Sequence, residues 1–186
     1  MNHTSAWEDQ IIREIVPFTF EDSEKNVITD EMREGLRYCL DRLPGKYGEI
    51  FYQKYRDKNG VKFIEKTVGV SAITQRIRDG LRYLRSIENI SIITLGIKEG
   101  VKRNQLVKEG IRFKLENKIY DFSDEELLYL DVKTSALPVR EKNTLIRANV
   151  QYLHEIICME NPLELRGLGI NQLQYLKEYT RENFGA

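Results

Sequence analysis

The 186-residue chain has few of the residue types on which catalysis and covalent stapling depend. It holds two cysteines, Cys39 and Cys158, each inside an apolar helical pattern and neither with a partner at metal-ligand or redox spacing. That excludes a disulfide framework, a thiolate zinc site and a CxxC redox motif, and both read as buried thiols. Of the two histidines, His3 lies at the terminus, and His154 sits on a helix with no cysteine or carboxylate in metal-ligand order. His154 therefore reads as a satisfied surface histidine. No P-loop, dinucleotide fingerprint, nucleophile elbow or zincin motif occurs, and Glu155 and Glu164 read as surface charges, not as a catalytic pair. The expectation is a protein that is not an enzyme, with no cofactor, no metal and no small-molecule substrate.

Long hydrophobic runs are also missing. No apolar stretch approaches the ~20 residues of a membrane span, and the N-terminus lacks a basic region followed by a hydrophobic segment. Neither a membrane partner nor a signal peptide is expected, and a cytoplasmic location follows. Net charge is absent too: 29 basic and 29 acidic side chains cancel, which argues against histone-like or tail-driven binding to nucleic acid.

The charge is unevenly spread. Residues 1–30 carry seven acids and two bases, residues 31–70 nine bases and six acids, and residues 71–113 nine bases and four acids. Basic charge is concentrated in the middle of the chain. With 41% hydrophobic residues the chain can bury ordinary globular cores. The periodicities below predict an all-α fold of two small helical domains.

In the acidic N-terminal segment, residues 1–27, Trp7, Ile11, Ile12, Ile15 and Val16 predict an amphipathic helix that covers the next module, dimerises or engages a partner, core packing being favoured. Residues 28–88 form the first module. Met32, Leu36, Cys39, Leu40 and Leu43 recur at helical spacing and stop at Pro44-Gly45, and a second helix runs through Ile50, Phe51 and Tyr55. After the turn signal Asp57-Lys58-Asn59-Gly60, Phe63, Ile64 and Val68 start a third helix. Gly69-Val70-Ser71 breaks it, and Ile73, Ile77, Leu81 and Leu84 line a fourth. This is helix-turn-helix punctuation. Gln75, Arg76, Arg78, Arg82 and Arg85 decorate the fourth helix, either as a major-groove element or as a solvated basic face.

The sequences LRYCLDRLPGKYGEIF, FIEKTVGVS and ITQRIRDGLRYLR resemble region four of bacterial sigma factors over about 60 residues. Leu43-Pro44, Ile64, Gly69, Ser71, Leu81 and Leu84 stand at the family's pattern positions. The resemblance implies that the leading helices dock on the flap of RNA polymerase and that the last helix reads the promoter −35 element, with Thr74 and Gln75 at groove-facing positions when the helix end fixes the alignment; with the helix's own cations, the candidate contacts of this module are Ser71, Thr74, Gln75, Arg76, Arg78 and Arg82. From Ser71 to Leu81 the chain is about two residues shorter than the family, so base readout is expected to be altered, or lost with only phosphate contacts left. Only about 27 residues precede the module. The large helical region with which a sigma factor binds core polymerase and melts the promoter is therefore not expected here.

Residues 89–122 are read as a connector, in which the β-branched run Ile90 to Ile97 leaves helix and strand open. Ser123-Asp124-Glu125-Glu126 is a capping-box signal that opens the second domain, residues 123–186. Within it, LPVREKNTLIRANVQYLHEII (137–157) is followed ten residues later by Gly167-Leu168-Gly169. Val139, Asn143, Ile146 and Val150 fall at helical spacing, leaving Arg140, Arg147 and the Asn143 amide to face outward. Glycines at 167 and 169 allow a backbone turn to approach a phosphate closely, and a helix from Ile170 would aim its N-terminus there. Together these read as a helix-hairpin-helix nucleic-acid module.

This last third of the chain resembles the C-terminal domain of the bacterial RNA polymerase alpha subunit through Leu137, Val139, Arg140, Asn143, Leu145, Val150 and Ile156, then Leu168, Gly169, Leu173 and Leu176. The resemblance implies that Arg140 and Asn143 enter the minor groove of A/T-rich promoter DNA and that the glycine loop holds the backbone. The candidate contacts are Arg140, Asn143, Thr144, Arg147, Gly167, Gly169, Asn171 and Gln172. Asn171 and Gln172 replace the family's lysine and serine, and Pro138 its serine, so one phosphate-neutralising charge is missing.

Two functions are expected from these readings, beside a third in which the modules bind structured or single-stranded nucleic acid. The first is a bacterial transcription regulator that binds promoter-like double-stranded DNA through both modules. The alternative is a factor that docks on the RNA polymerase flap, or works with a sigma factor, without needing DNA.

Overall fold

Helical spacing of apolar residues and a few side-chain caps account for most of the architecture. The computed structural model describes residues 6–16, 27–119, 121–133, 135, 137–147, 150–157 and 170–184, and among these the chain is all-α, with eleven α-helices. The only β-type pairing among the described residues is an isolated antiparallel bridge between Asp131 and Tyr152. The chain divides into two compact units, Met1–Asn104 and Gln105–Ala186.

In the first unit, α1 (Ala6–Ile15) buries Trp7, Ile11, Ile12 and Ile15. The fully buried Ile11 and Ile12 contribute roughly 1.5–3 kcal/mol each, so the acidic segment's helix is part of this unit's core. Helix α2 (Asp30–Leu40) starts at Thr29, whose hydroxyl accepts from the Met32 amide at 3.2 Å, and buries Met32, Leu36, Cys39 and Leu40 at the expected spacing. Helices α3 (Tyr47–Phe51) and α4 (Val61–Ile64) each run on into a π-helical turn, Tyr52–Arg56 and Glu65–Gly69 respectively. Then come α5 (Ile73–Leu84), α6 (Ile87–Leu95) and α7 (Ile97–Glu116), the last crossing the division between units.

The main core joins α1, α2, the Phe51–Tyr55 region, α5 and α6, while Ile50, Ile64, Val68 and Ile73 form a smaller core under α5. Residues 89–95 lie in α6 and pack into this unit's core. Ile92 and Ile93 are buried, and a Cβ on Gly35 would stand 2.7 Å from the Ile92 carbonyl oxygen. A glycine at 35 is what lets α2 and α6 approach so closely. Cys39 is buried, its thiol pushed up to about 12 by desolvation; Cys158 lies outside the described residues.

In the second unit, α8 (Asp124–Leu128) carries the expected capping box. The Ser123 hydroxyl accepts from the Glu126 amide at 3.3 Å, and the Ser123 amide donates to Glu126 Oε2 at 2.8 Å. Burial opposes charge on Glu126, but Lys114 at 2.5 Å and the Ser123 bonds hold its carboxyl below the usual range. Helices α9 (Val139–Arg147), α10 (His154–Ile157) and α11 (Ile170–Phe184) complete the unit. Its buried residues include Leu130, Val132, Leu137, Leu145, Val150, Tyr152, Leu153, Ile156 and Leu176.

Two readings of this unit need correction. Glu155 is no idle surface charge, because Oε1 accepts from the Gln151 and Tyr152 amides at 2.9 and 2.8 Å and caps the start of α10. His154 is half-buried and not a surface side chain. Its ring stacks on Tyr152 at 5.9 Å, and burial lowers its pKa against a hydrogen bond with the Leu128 backbone.

Candidate nucleic-acid interface

The α4 segment, the following turn and α5 are arranged by backbone conformation. Gly69 adopts φ +72° and Ala72 φ +58°, so two left-handed residues reverse the chain between Val68 and Ile73. Val68 and Ile73 are buried on either side of this turn, and Lys46 Nζ donates to the Val68 carbonyl at 2.5 Å. Only a glycine tolerates +72° without cost, whereas Ala72 holds its left-handed backbone under strain.

Helix α5 then divides cleanly. Ile73, Gly80, Leu81 and Leu84 face inward, while Thr74, Gln75 and Arg78 are exposed and Arg76 and Arg82 are half-buried. Ser71 is exposed at the end of the turn. Gly80 is enforced by packing, because a Cβ there would collide with the Phe51 ring. The helix has no side-chain cap at Ala72, which leaves its first amides available to an anion.

The cations on α5 are not equivalent. Arg76 Nε donates to the Ser71 carbonyl at 2.9 Å, which fastens its guanidinium to the turn. Arg82 Nη2 lies 3.8 Å from Asp79, which also accepts from Gln75 Nε2 at 3.0 Å. Arg85 reaches the Glu14 carbonyl at 3.3 Å. Arg78 stands exposed on the outer side of the helix. The part played by Asp79 is missed by a reading that counts cations alone, although its spacing of four from Gln75 and three from Arg82 is a signal in the sequence.

In the second unit, Arg140, Asn143 and Arg147 are exposed along α9, as expected. Thr144 is half-buried and spends its hydroxyl on the Arg140 carbonyl at 2.9 Å. The face assigned to Val139, Asn143, Ile146 and Val150 is not the core face. Val139 is 74% exposed and Ile146 36%, and the helix is anchored through Leu145. Val150 is buried beyond the helix end, its amide donating to the Leu145 carbonyl at 3.0 Å. Asn171 is exposed in the first turn of α11, and Gln172 follows it there. Gly167 and Gly169 lie outside the described residues.

The arrangement offers two polar surfaces, one in each unit. Each combines guanidinium groups with side-chain amides, the donors suited to phosphate and base edges. Among the described residues no group of three or more histidine, cysteine or acidic side chains is placed to hold a metal ion. No described helix is long and apolar enough to cross a membrane. Comparison with family models, curated proteins and solved structures yields no match.

Proposed function

We propose that this protein is a bacterial DNA-binding transcription regulator acting in the cytoplasm, with α4 and α5 forming a helix-turn-helix that engages the major groove and the α9–α11 unit a helix-hairpin-helix that engages the minor groove. The observation that carries the reading is the division of α5. Its apolar side is locked into the core, while Thr74, Gln75 and Arg78 stand exposed directly after a turn set by Gly69 and Ala72. The exposed Arg140, Asn143 and Arg147 of α9 support the second contact, and the resemblances to sigma region four and to the alpha C-terminal domain agree with both. In the alpha-like module the favoured target is A/T-rich promoter-like duplex. Joining two modest binders in one chain raises the effective concentration of the second once the first is bound.

The direct test is a duplex titration at several salt concentrations comparing wild type with Arg78→Ala. The variant is expected to bind more weakly and to lose about one unit of salt slope. Identical affinity and slope would contradict a groove-facing α5.

A second reading, docking on RNA polymerase without DNA, is favoured by the engagement of Arg76 and Arg82 within the protein itself. Co-purification with polymerase that survives nuclease treatment would favour it, and loss of polymerase on nuclease treatment would count against it.

A further inference from the structure

Asp79 is the only acidic residue in α5, and it sits on the surface proposed to meet DNA phosphates. A carboxylate there opposes binding, yet it is held in place. It accepts from Gln75 Nε2 one turn back at 3.0 Å and lies 3.8 Å from Arg82 Nη2 one turn ahead. Its side chain is 24% exposed, whereas Gln75 is exposed.

A primary amide has two N–H donors and one carbonyl acceptor. Asp79 takes one donor of Gln75. With the N–H trans to the oxygen given to Asp79, the carbonyl oxygen and the cis N–H form an adjacent acceptor–donor pair, which matches the N6 amino group and N7 of adenine in the major groove. An untethered glutamine on an exposed helix surface would spread over several rotamers and present either edge. From this geometry we infer that Asp79 is a positioning residue that presets Gln75 to read adenine, so that α5 selects sequence at one base pair and does not bind phosphates alone. The inference rests on the major-groove reading of α5.

The negative charge has a second consequence. It reduces the attraction of α5 for DNA of every sequence alike, so it lowers overall affinity and leaves the preference for adenine to the hydrogen bond with Gln75. Arg82, drawn toward the same carboxylate, is left a weaker phosphate contact than Arg78.

The experiment is selection of bound duplexes from a library with a randomised centre at low salt, using the full chain and three variants. Wild type is expected to enrich one adenine position by about 5- to 150-fold over the other bases, and Gln75→Ala to erase that position alone. Asp79→Ala is expected to weaken the preference by about twofold, the worth of one amide–carboxylate pair on a helix, while binding random duplex more tightly. Asp79→Asn, whose amide oxygen still accepts from Gln75, is expected to keep the preference and share the gain in affinity. An adenine position untouched by Gln75→Ala, or a preference unchanged in Asp79→Ala, would overturn the inference while leaving DNA binding intact. Failure of wild type to retain any duplex would instead overturn the proposed function beneath it.

Discussion

Replacing Arg37 by alanine is expected to destabilise the first unit in a way that depends on pH. Glu8, on α1, is 2% exposed, and its carboxylate receives Arg37 Nη1 at 2.7 Å. Burial pushes this carboxyl upward, against the pull of Arg37 and Arg33, and it remains above its ordinary value of 4.5. Removing one partner of a buried ion pair costs about 3–5 kcal/mol. Arg37 is half exposed, however, and Arg33 stays nearby. Solvent screening and that second cation reduce the expected loss to about 2 kcal/mol. The sign with pH follows from the raised folded value. The unfolded chain gives up this proton first as pH rises, so the group favours folding in acid and that contribution is lost as pH climbs through the folded value. Without Arg37 the folded value rises further. Urea unfolding should therefore show a large deficit for Arg37→Ala at pH 7 and a smaller one near pH 5. The pair of changes Glu8→Gln and Arg37→Ala should recover most of the loss at pH 7. A deficit below about 0.5 kcal/mol at pH 7, or one that does not shrink in acid, would refute the reasoning.

Gly80→Ala is expected to cost about 1–3 kcal/mol by forcing the Phe51 ring out of place, read as a lowered melting temperature; an unchanged melt would contradict the close packing of α3 and α5. His154, whose pKa burial holds below 6.5, takes up its proton in the unfolded chain first, so stability is full above about pH 6.5 and falls as the pH drops toward the depressed folded value. A His154→Gln variant should lack this acid-linked loss, and parallel pH profiles for the two proteins would sink the assignment.

The helices most readable in the sequence are those whose apolar residues bury one continuous stripe. Met32, Leu36, Cys39 and Leu40 define α2, and Ile73, Leu81 and Leu84 define α5. The β-branched run at 90–97 leaves helix and strand open because no local period contains the close approach of Ile92 and Ile93 to Gly35, where residues up to Leu95 are helical. The face of α9 misled for the opposite reason. In a nine-residue helix anchored through Leu145, the spacing of Val139 and Ile146 imitates a core stripe although both are exposed. The exposure of Arg140, Asn143 and Arg147 is legible in the sequence, because polar side chains on a short helix stay in solvent unless a partner buries them. Asp79 is passed over by a search of α5 for cations, although it accepts from Gln75 and lies 3.8 Å from Arg82. The capping role of Glu155 was likewise hidden behind its charge, whereas the box at Ser123 and Glu126 followed from spacing alone.

The most direct test of two-module DNA binding is a titration of an A/T-rich duplex at several salt concentrations, comparing wild type with Arg140→Ala. Arg140 is exposed on α9, away from the core residues that hold the helix, so its loss should weaken binding without unfolding the unit. A lower affinity, with the salt slope reduced by about one, is the predicted result. Equal affinity and equal slope for the two proteins would contradict the minor-groove role and with it the two-module account.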